Sequence, residues 1–410
     1  MDRLGLPHRL WRLLPAGPRR RMAARLVALA APRLAHPAPP ATGGVIVAGE
    51  FTRASGLGES ARLMLDALAA LGQPAWPLDI GPLLPAHSAD LPPPPPWTTL
   101  PPANAALVLH VNAPLLPLVL ARLPRALVRG RRVVGYWAWE LPLAPADWRA
   151  GARCVHEAWA PSRFTADALA PLLATPVRVV PHPLAVRPAP PPGLGRGDFG
   201  LPEAAVVVLV SFNLASSFAR KNPLAAVAAF RAAFADRMDR LLLLKVSHAD
   251  HHPQDFALLA AAVAGAPNIR LETRTMPPAD AQALTAAADI VLSLHRSEGF
   301  GLVPAEAMLA GKPTIATGWS GNLDFMDAGS AALVRYRLVP AQDTRGVYAL
   351  PGAVWAEPDI AHAAEWLRRL ADDPPARAAL GAAGQEYARA RLGPAALAEA
   401  LRGLAVGGAA

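Results

Sequence analysis

Four side chains carry the chemistry that this chain advertises most clearly. Glu298 and Glu306 bracket EGFGLVPAE with seven residues between them, and Arg220 and Lys221 stand side by side in SSFARKNP, about 80 residues earlier. Carboxylates at that spacing accept hydrogen bonds from hydroxyls of a sugar or a ribose. Arginine offers phosphate oxygens a planar fork of donors, and lysine offers them a point charge. The chain has only three lysines, Lys221, Lys245 and Lys312. Lys221 is therefore not one of a crowd of solvated lysines. The four residues together suit a ligand that has both a diphosphate and hydroxyl groups.

The segment around the two acids shows how they must be held. DIVLSL (289–294) is an apolar run that reads as a strand, and Ser297 to Gly301 form a glycine turn. Val303 to Ala310 read as a helix closed by Gly311 and Pro313, and TIAT (314–317) reads as the next strand. That is one parallel-sheet unit, and ligands of open α/β sheets bind at the carboxyl edge of the strands. Glu298 leaves the strand and Glu306 lies in the helix. The helix N-terminus between them offers backbone N–H groups to an anion. The run 205–213, AVVVLVSFN, is a strand that leads into the Arg220-Lys221 loop, and a helix begins near Pro223. Both loops follow strands of one parallel sheet, so both open on the same edge.

The rest of the second half repeats the alternation, with strands at 241–247 and 268–272, helices at 223–235, 256–264 and 278–288, and a helical end at 359–405. The first half reads likewise. Strands are expected at 44–49, 106–111, 132–139, 155–162 and 177–184, and helices at 59–71 and 163–173. Strands alternating with helices predict two doubly wound α/β domains with parallel sheets. The proline- and glycine-rich stretch at 187–202 reads as the linker between a first domain, 43–186, and a second, 203–372, with C-terminal helices over 373–410. A proline-rich surface insertion occupies 82–102.

Residues 203–372 resemble the nucleotide-binding domain of the family 4 retaining glycosyltransferases, on the Arg220-Lys221 pair, the Glu-x7-Glu spacing of EGFGLVPAE and the AEAMLAGKPTIAT that follows. The resemblance covers the C-terminal half well and the first half loosely. It implies the GT-B fold, two Rossmann-like domains facing across a cleft. It also implies transfer of a sugar from a nucleotide-diphosphate donor to a hydroxyl acceptor with retention at the anomeric carbon. By position, Arg220 and Lys221 would hold the donor diphosphate, Glu298 the transferred sugar and Glu306 the ribose. Backbone amides around Phe300, Gly301 and Leu302 would help to cradle the phosphates. The acceptor implied by family tendency is a surface polysaccharide or a lipid-linked glycan.

The first domain offers further candidates. Gly56 and Gly58 lie in GEFTRASGLGES after the first strand and allow close backbone approach to a ligand. The resemblance implies a glycine-rich loop here, facing the donor phosphate. A rival pattern overlaps it. Gly56 to Ala61 fit G-x-G-x-x-A and Asp79 follows, as in a dinucleotide fingerprint, although the glycines sit too far beyond the strand. In related enzymes a histidine near the end of the 106–111 strand lies beside the sugar, which nominates His110 or, two residues on, Asn112. Glu140, in WAWELP, ends the next strand and is placed to reach an acceptor hydroxyl.

Bulk properties exclude other classes. A chain of 410 residues is long for one core, and 53% apolar with 17% charged residues is globular in character. The net charge of +9 suits anionic partners, which here means phosphorylated small molecules or an acidic membrane surface. Eight arginines and leucine clusters in 1–42 mark a basic tail, either a peripheral membrane anchor or a solvated segment. Basic residues are scattered with no aromatic-interleaved stripe, so nucleic acid is not expected as a partner. One cysteine, Cys154, excludes an internal disulfide and fits a reducing cytoplasm. No run of about 18 residues lacks polar groups, so no span is expected, and arginines interrupt any signal-peptide pattern. No metal or other cofactor is called for. The histidines of HADHH (248–252) read as a polar loop. Two other classes stay open, a dinucleotide-dependent oxidoreductase and a non-catalytic binder of nucleotide-sugars or glycans.

Overall fold

Short apolar runs become strands that are buried on both faces, as a sheet covered by helices on each side requires. The computed structural model describes residues 27, 31–85, 90–188 and 193–406. In the first domain β1 (Val45–Gly49), β2 (Ala75–Asp79), β3 (Ala106–Leu109), β4 (Val133–Tyr136), β5 (Glu157–Ala160) and β6 (Val177–Val179) form one parallel sheet, ordered β2-β1-β3-β4-β5-β6. Its helices include α1 (Gly56–Ala70), α2 (Leu116–Arg122), α3 (Arg149–Ala152) and α4 (Arg163–Leu169).

In the second domain β7 (Val206–Asn213), β8 (Arg240–Ser247), β9 (Ile269–Glu272), β10 (Ile290–Ser293), β11 (Thr314–Thr317) and β12 (Ala332–Val334) form a second parallel sheet, ordered β12-β11-β10-β7-β8-β9. The first strand of this domain therefore lies next to the fourth. The order reverses between β7 and β10, and that switch point is where a doubly wound sheet opens a crevice. The helices here are α5 (Phe218–Lys221), α6 (Pro223–Phe234), α7 (Pro253–Val263), α8 (Pro278–Ala287) and α9 (Leu302–Leu309). An antiparallel hairpin, β13 (Tyr336–Pro340) with β14 (Val354–Pro358), follows the sheet. The chain ends in α10 (Ile360–Asp372), α11 (Pro374–Arg391) and α12 (Ala395–Ala405).

Each sheet has an apolar layer on both faces. A further cluster joins the domains. Leu63 of α1 and Leu184 pack with Phe300, Met308, Phe325 and Leu392. Each such large side chain contributes about 1.5–3 kcal/mol when fully buried. The domains are therefore held face to face by apolar contact as well as by the linker.

Three placements differ from the expectations. Two strand regions, β2 and the hairpin, were not expected. β2 carries Pro77 and lies at the sheet edge, where a missing N–H is tolerated, while β13 leaves Tyr336 and Leu338 exposed and so lacks a buried alternation. Order begins before Gly43, because Ala31 and Ala41 are buried and His156 Nε2 meets Ala35 O at 2.9 Å. The end of the chain is also not a separate unit. Leu397, Ala400 and Leu404 of α12 join the core of the first domain, and Ala41 N donates to Leu404 O. The basic tail lies outside the described residues except for residue 27 and residues 31–42. Among the described residues no helix is long and apolar enough to cross a membrane.

Candidate functional site

Arg220 and Lys221 end the single-turn helix α5. Ser217 caps it by accepting from Arg220 N, and Asn222 closes it in the left-handed region at φ 53°. Asparagine tolerates that conformation better than most residues. It turns the chain directly into α6, whose first residue is Pro223. Across the switch point, the loop after β10 brings Glu298. Lys221 Nζ lies 2.5 Å from Glu298 Oε1, and Arg220 Nη1 lies 2.9 Å from Glu298 Oε2.

Arg220 is almost fully buried. Its Nη1 donates to Ser297 O at 2.7 Å and its Nη2 to Ser216 Oγ at 2.8 Å. Its guanidinium carbon stands 5.7 Å from the centre of the Tyr348 ring. Its Nε has no partner among the described residues. A buried N–H without an acceptor is costly, so this edge of the guanidinium is ready to receive one. Glu298 is fixed further by its own N–H, which donates to Ser320 Oγ at 2.9 Å.

Burial alone would discharge these groups. Their mutual attraction overrides it for two of them. Glu298 is held well below the usual carboxylate range, because Arg220 and then Lys221 outweigh its desolvation. Arg220 is shifted up, since Glu298, Tyr348 and Glu140 outweigh desolvation. Lys221 is shifted down by burial, with Glu298 opposing and Arg220 reinforcing. Its side chain keeps about a fifth of its surface open, so it is the accessible cation of the pair.

Glu140 joins this cluster from the first domain. Its Oε1 is 3.9 Å from Arg220 Nη2. Gly299 is pressed against the same segment. Ser162 Oγ and Thr165 Oγ1 both donate to Gly299 O, at 2.5 and 3.1 Å, and Ser297 Oγ donates to Glu140 O. Gly56 stands opposite the second domain, where a side chain placed on it would meet Leu302 Cδ1 at 3.9 Å.

Glu306 faces a different set of charges. Burial lifts its carboxyl to about 7, Glu59 adds to the shift and Arg187 opposes it. Glu59 belongs to α1, and it is bound by Arg187 and by Arg62 Nε at 2.8 Å. Glu306 therefore lies at the domain boundary, toward the first turn of α1.

Several expectations need correction. Gly56 and Gly58 are not in a loop but in the first turn of α1, because Ser55 caps that helix by accepting from Gly58 N. His110 ends its strand as expected, yet it does not reach the cleft. It is 1% exposed, with Nδ1 2.8 Å from Ser60 Oγ, Nε2 3.3 Å from Met64 Sδ and its ring stacked on Tyr136. Burial drives it down to about 3, so it is a neutral packing residue. Asn112 accepts from Ala138 N at 3.0 Å and so supports the segment before Glu140. The side chain of Phe300 is core, with its ring against His182 and Phe325. The dinucleotide pattern also dissolves. The Asp79 carboxylate accepts from Phe51 N, Gly81 N and Thr52 Oγ1 and ties the loop after β1 to the turn after β2.

Ser216, Ser320 and Tyr348 complete the cluster and had no counterpart in the sequence reading. For Tyr348 a signal existed, since it is one of only four tyrosines and sits in a glycine-rich turn. Among the described residues no group of three or more His, Cys, Asp or Glu side chains is arranged to hold a metal ion.

Residues 206–349 match the family described as glycosyl transferases group 1, and this span contains Arg220, Lys221, Glu298 and Glu306. Over this span the second domain is similar to that family. The chain as a whole has the GT-B fold. Anabaena HepE in complex with UDP-glucose superposes with a TM-score of 0.59 at 15% identity, over 88% of this chain and 98% of that one. WaaG, a glycosyltransferase involved in lipopolysaccharide biosynthesis, gives 0.55 at 16%, over 88% and 100%. S. aureus TarM, solved with UDP and saccharide ligands, gives 0.54 at 10%, over 74% of this chain. This chain spans about half of TarM, 55% of its length. None of the curated proteins matches it in sequence. The second domain thus supplies the Arg220, Lys221 and Glu298 cluster, and the first domain supplies Glu140.

Proposed function

We propose that the protein is a glycosyltransferase that moves a sugar from a nucleoside-diphosphate donor to a hydroxyl acceptor, with retention at the anomeric carbon. The observation that carries this reading is the meeting of Arg220, Lys221 and Glu298 at the β7/β10 switch point, with the Arg220 Nε edge unpartnered among the described residues. A diphosphate docked there accepts from that edge and from Lys221. Glu298 is ionised and accepts from sugar hydroxyls. Glu306 is the candidate for the ribose hydroxyls, and the first turn of α9 supplies backbone N–H groups to the phosphates.

In the transfer, the bond between the anomeric carbon and the β-phosphate oxygen breaks. The acceptor oxygen forms its new bond on the same face, and its proton passes to the departing phosphate oxygen. Arg220 and Lys221 bear the charge that grows on the leaving group, so catalysis is mainly positioning and electrostatics. HepE and TarM were solved with UDP, which supports the donor class. The acceptor we propose is a surface polysaccharide or a lipid-linked glycan, met at the inner face of a membrane, with the basic N-terminal segment as the contact.

A thermal-shift screen against UDP-, GDP-, ADP- and TDP-sugars tests the donor site. Anomeric proton couplings of the product then test retention. A chain stabilised by none of these donors would refute the reading.

A further inference from the structure

Lys245 is buried, 4% exposed, at the carboxyl end of β8, and the cluster at the switch point does not use it. Strand register sets Ser211 of β7 beside it on one side and Glu272 of β9 on the other. Side chains two apart on a strand share a face. Leu241 and Leu243 pack beneath α8 and α9 with Leu284, Val303 and Ala307, so Lys245 continues that face at the carboxyl edge of the sheet. Glu306 stands on the same helix, α9.

A buried ammonium needs acceptors for its three N–H groups. Among the described residues Lys245 Nζ has one hydrogen bond, to Ser247 Oγ at 3.1 Å. Glu272 does not complete the set, because Arg274 takes its carboxylate in a fork. Arg274 Nε donates to Oε1 at 3.0 Å and Nη2 to Oε2 at 2.6 Å, and Arg274 N adds a bond to Oε1 at 2.9 Å. Burying a cation with so few partners is costly, so the position suits an acceptor brought by a ligand. Arg274, held by that fork, keeps 59% of its side chain exposed. A guanidinium plane so fixed is a shelf for an aromatic ring.

The row Ser211, Lys245 and Glu272 runs from β7 away from β10. A strand spacing of about 4.8 Å puts β8 and β9 about 5 and 10 Å beyond β7. With the diphosphate at Arg220 and Lys221 and the ribose at Glu306, the part of the donor left to lie over β8 and β9 is the base.

We propose that Lys245 is a specificity-determining residue that donates to a carbonyl oxygen of the base, so that the chain takes nucleotides of the keto bases uracil or guanine over those of cytosine and adenine. This rests on the glycosyltransferase reading of the site and narrows its donor. Uracil and guanine present a carbonyl oxygen where cytosine and adenine present an amino group. An amino group set against an ammonium leaves donors on both sides unpaired. Arg274 supports the ring, whichever base it is.

Calorimetric titration of the full chain with UDP against CDP, and with GDP against ADP, tests it. The tighter of UDP and GDP is expected to bind at least about tenfold more tightly than its amino counterpart, the scale of one hydrogen bond to a charged donor. Lys245→Met is expected to weaken that keto nucleotide roughly tenfold and to move its counterpart by less than about threefold. Lys245→Gln, whose amide turns either a donor or an acceptor to the base, is expected to level the pair as well. Three results overturn the inference alone. One is a wild-type chain that binds the pair alike or favours the amino base. Another is a variant that keeps the wild-type preference. The third is loss of the cooperative urea transition in both variants, which would assign the lysine to the fold. A wild-type chain that binds none of the four nucleotides overturns the glycosyltransferase reading, and this inference falls with it.

Discussion

Lys221 Nζ stands 2.5 Å from Glu298 Oε1 although 77 positions separate the two residues in the chain. They meet because β7 and β10 are neighbours at the switch point of the second sheet. The same carboxylate also holds Arg220, so one acid balances two cations. The three members of this cluster are not equivalent, and substitution separates their roles.

Lys221→Ala leaves the buried Arg220–Glu298 pair intact. Turnover is expected to fall about 100-fold or more, the scale of losing one preorganised charge at a leaving group. Stability is expected to change by less than about 1 kcal/mol. Arg220→Ala differs, because Arg220 also bonds Ser297 O and Ser216 Oγ. It is expected to lower both turnover and stability. Steady-state kinetics beside urea denaturation of the two variants checks the contrast, and equal stability losses would contradict it.

Glu298→Ala removes the acid and strands a buried guanidinium. Breaking a buried pair from one side costs about 3–5 kcal/mol. The urea midpoint is therefore expected to drop steeply, and addition of pyrophosphate, which can replace the lost acid, to raise it in part. A midpoint within error of wild type would show that Arg220 is solvated in solution.

Glu306 gives a pH signature. Its carboxyl is raised from the ordinary 4.5 to about 7 by burial and Glu59, against Arg187. The folded chain thus holds this proton more tightly than the unfolded chain. The resulting stabilisation is full below about 4.5 and is lost as the pH rises toward 7. Buried His110 and His182, driven down to about 3 and about 4, give the opposite slope on the acid side of 6.5. The difference between wild type and Glu306→Gln isolates the glutamate. Its stability difference is expected to shift in favour of the variant between pH 4.5 and 7. Nucleotide affinity of wild type is expected to rise over the upper part of that range, as the carboxylate forms, and Glu306→Gln to show no such rise.

Gly299→Ala tests the contact between domains. A methyl group there meets Trp139 O at 2.9 Å, and the carbonyl of Gly299 is already held by Ser162 and Thr165. The loop must retreat or the domains must part. KM for the donor is expected to rise several-fold, and small-angle scattering to show a larger radius of gyration. An unchanged KM would mean that the loop relaxes locally.

Much of this architecture was legible in the residues. The apolar run of β7, the turn after β10 and the Pro223 start of α6 all have local causes, so the Arg220, Lys221 and Glu298 meeting followed from sheet topology. His110 was misplaced because a histidine at a strand end carries no mark of which face it takes. Its environment is fixed by Ser60 and Met64 of a helix remote in sequence. Tyr348 was missed for a related reason. Its position depends on Asp343 and Arg345 finding partners at Ser217, Ser216 and Asp255, and no periodicity encodes such long-range polar ties.

The return of α12 to the first domain has a consequence for synthesis. Val45, Val47 and Met64 share their apolar layer with Leu397, Ala400 and Leu404. Vectorial emergence from the ribosome therefore leaves that back surface uncovered until residue 404 is free. A fragment cut at the linker would carry the same open surface, and the two halves would be expected to fold together or to aggregate apart.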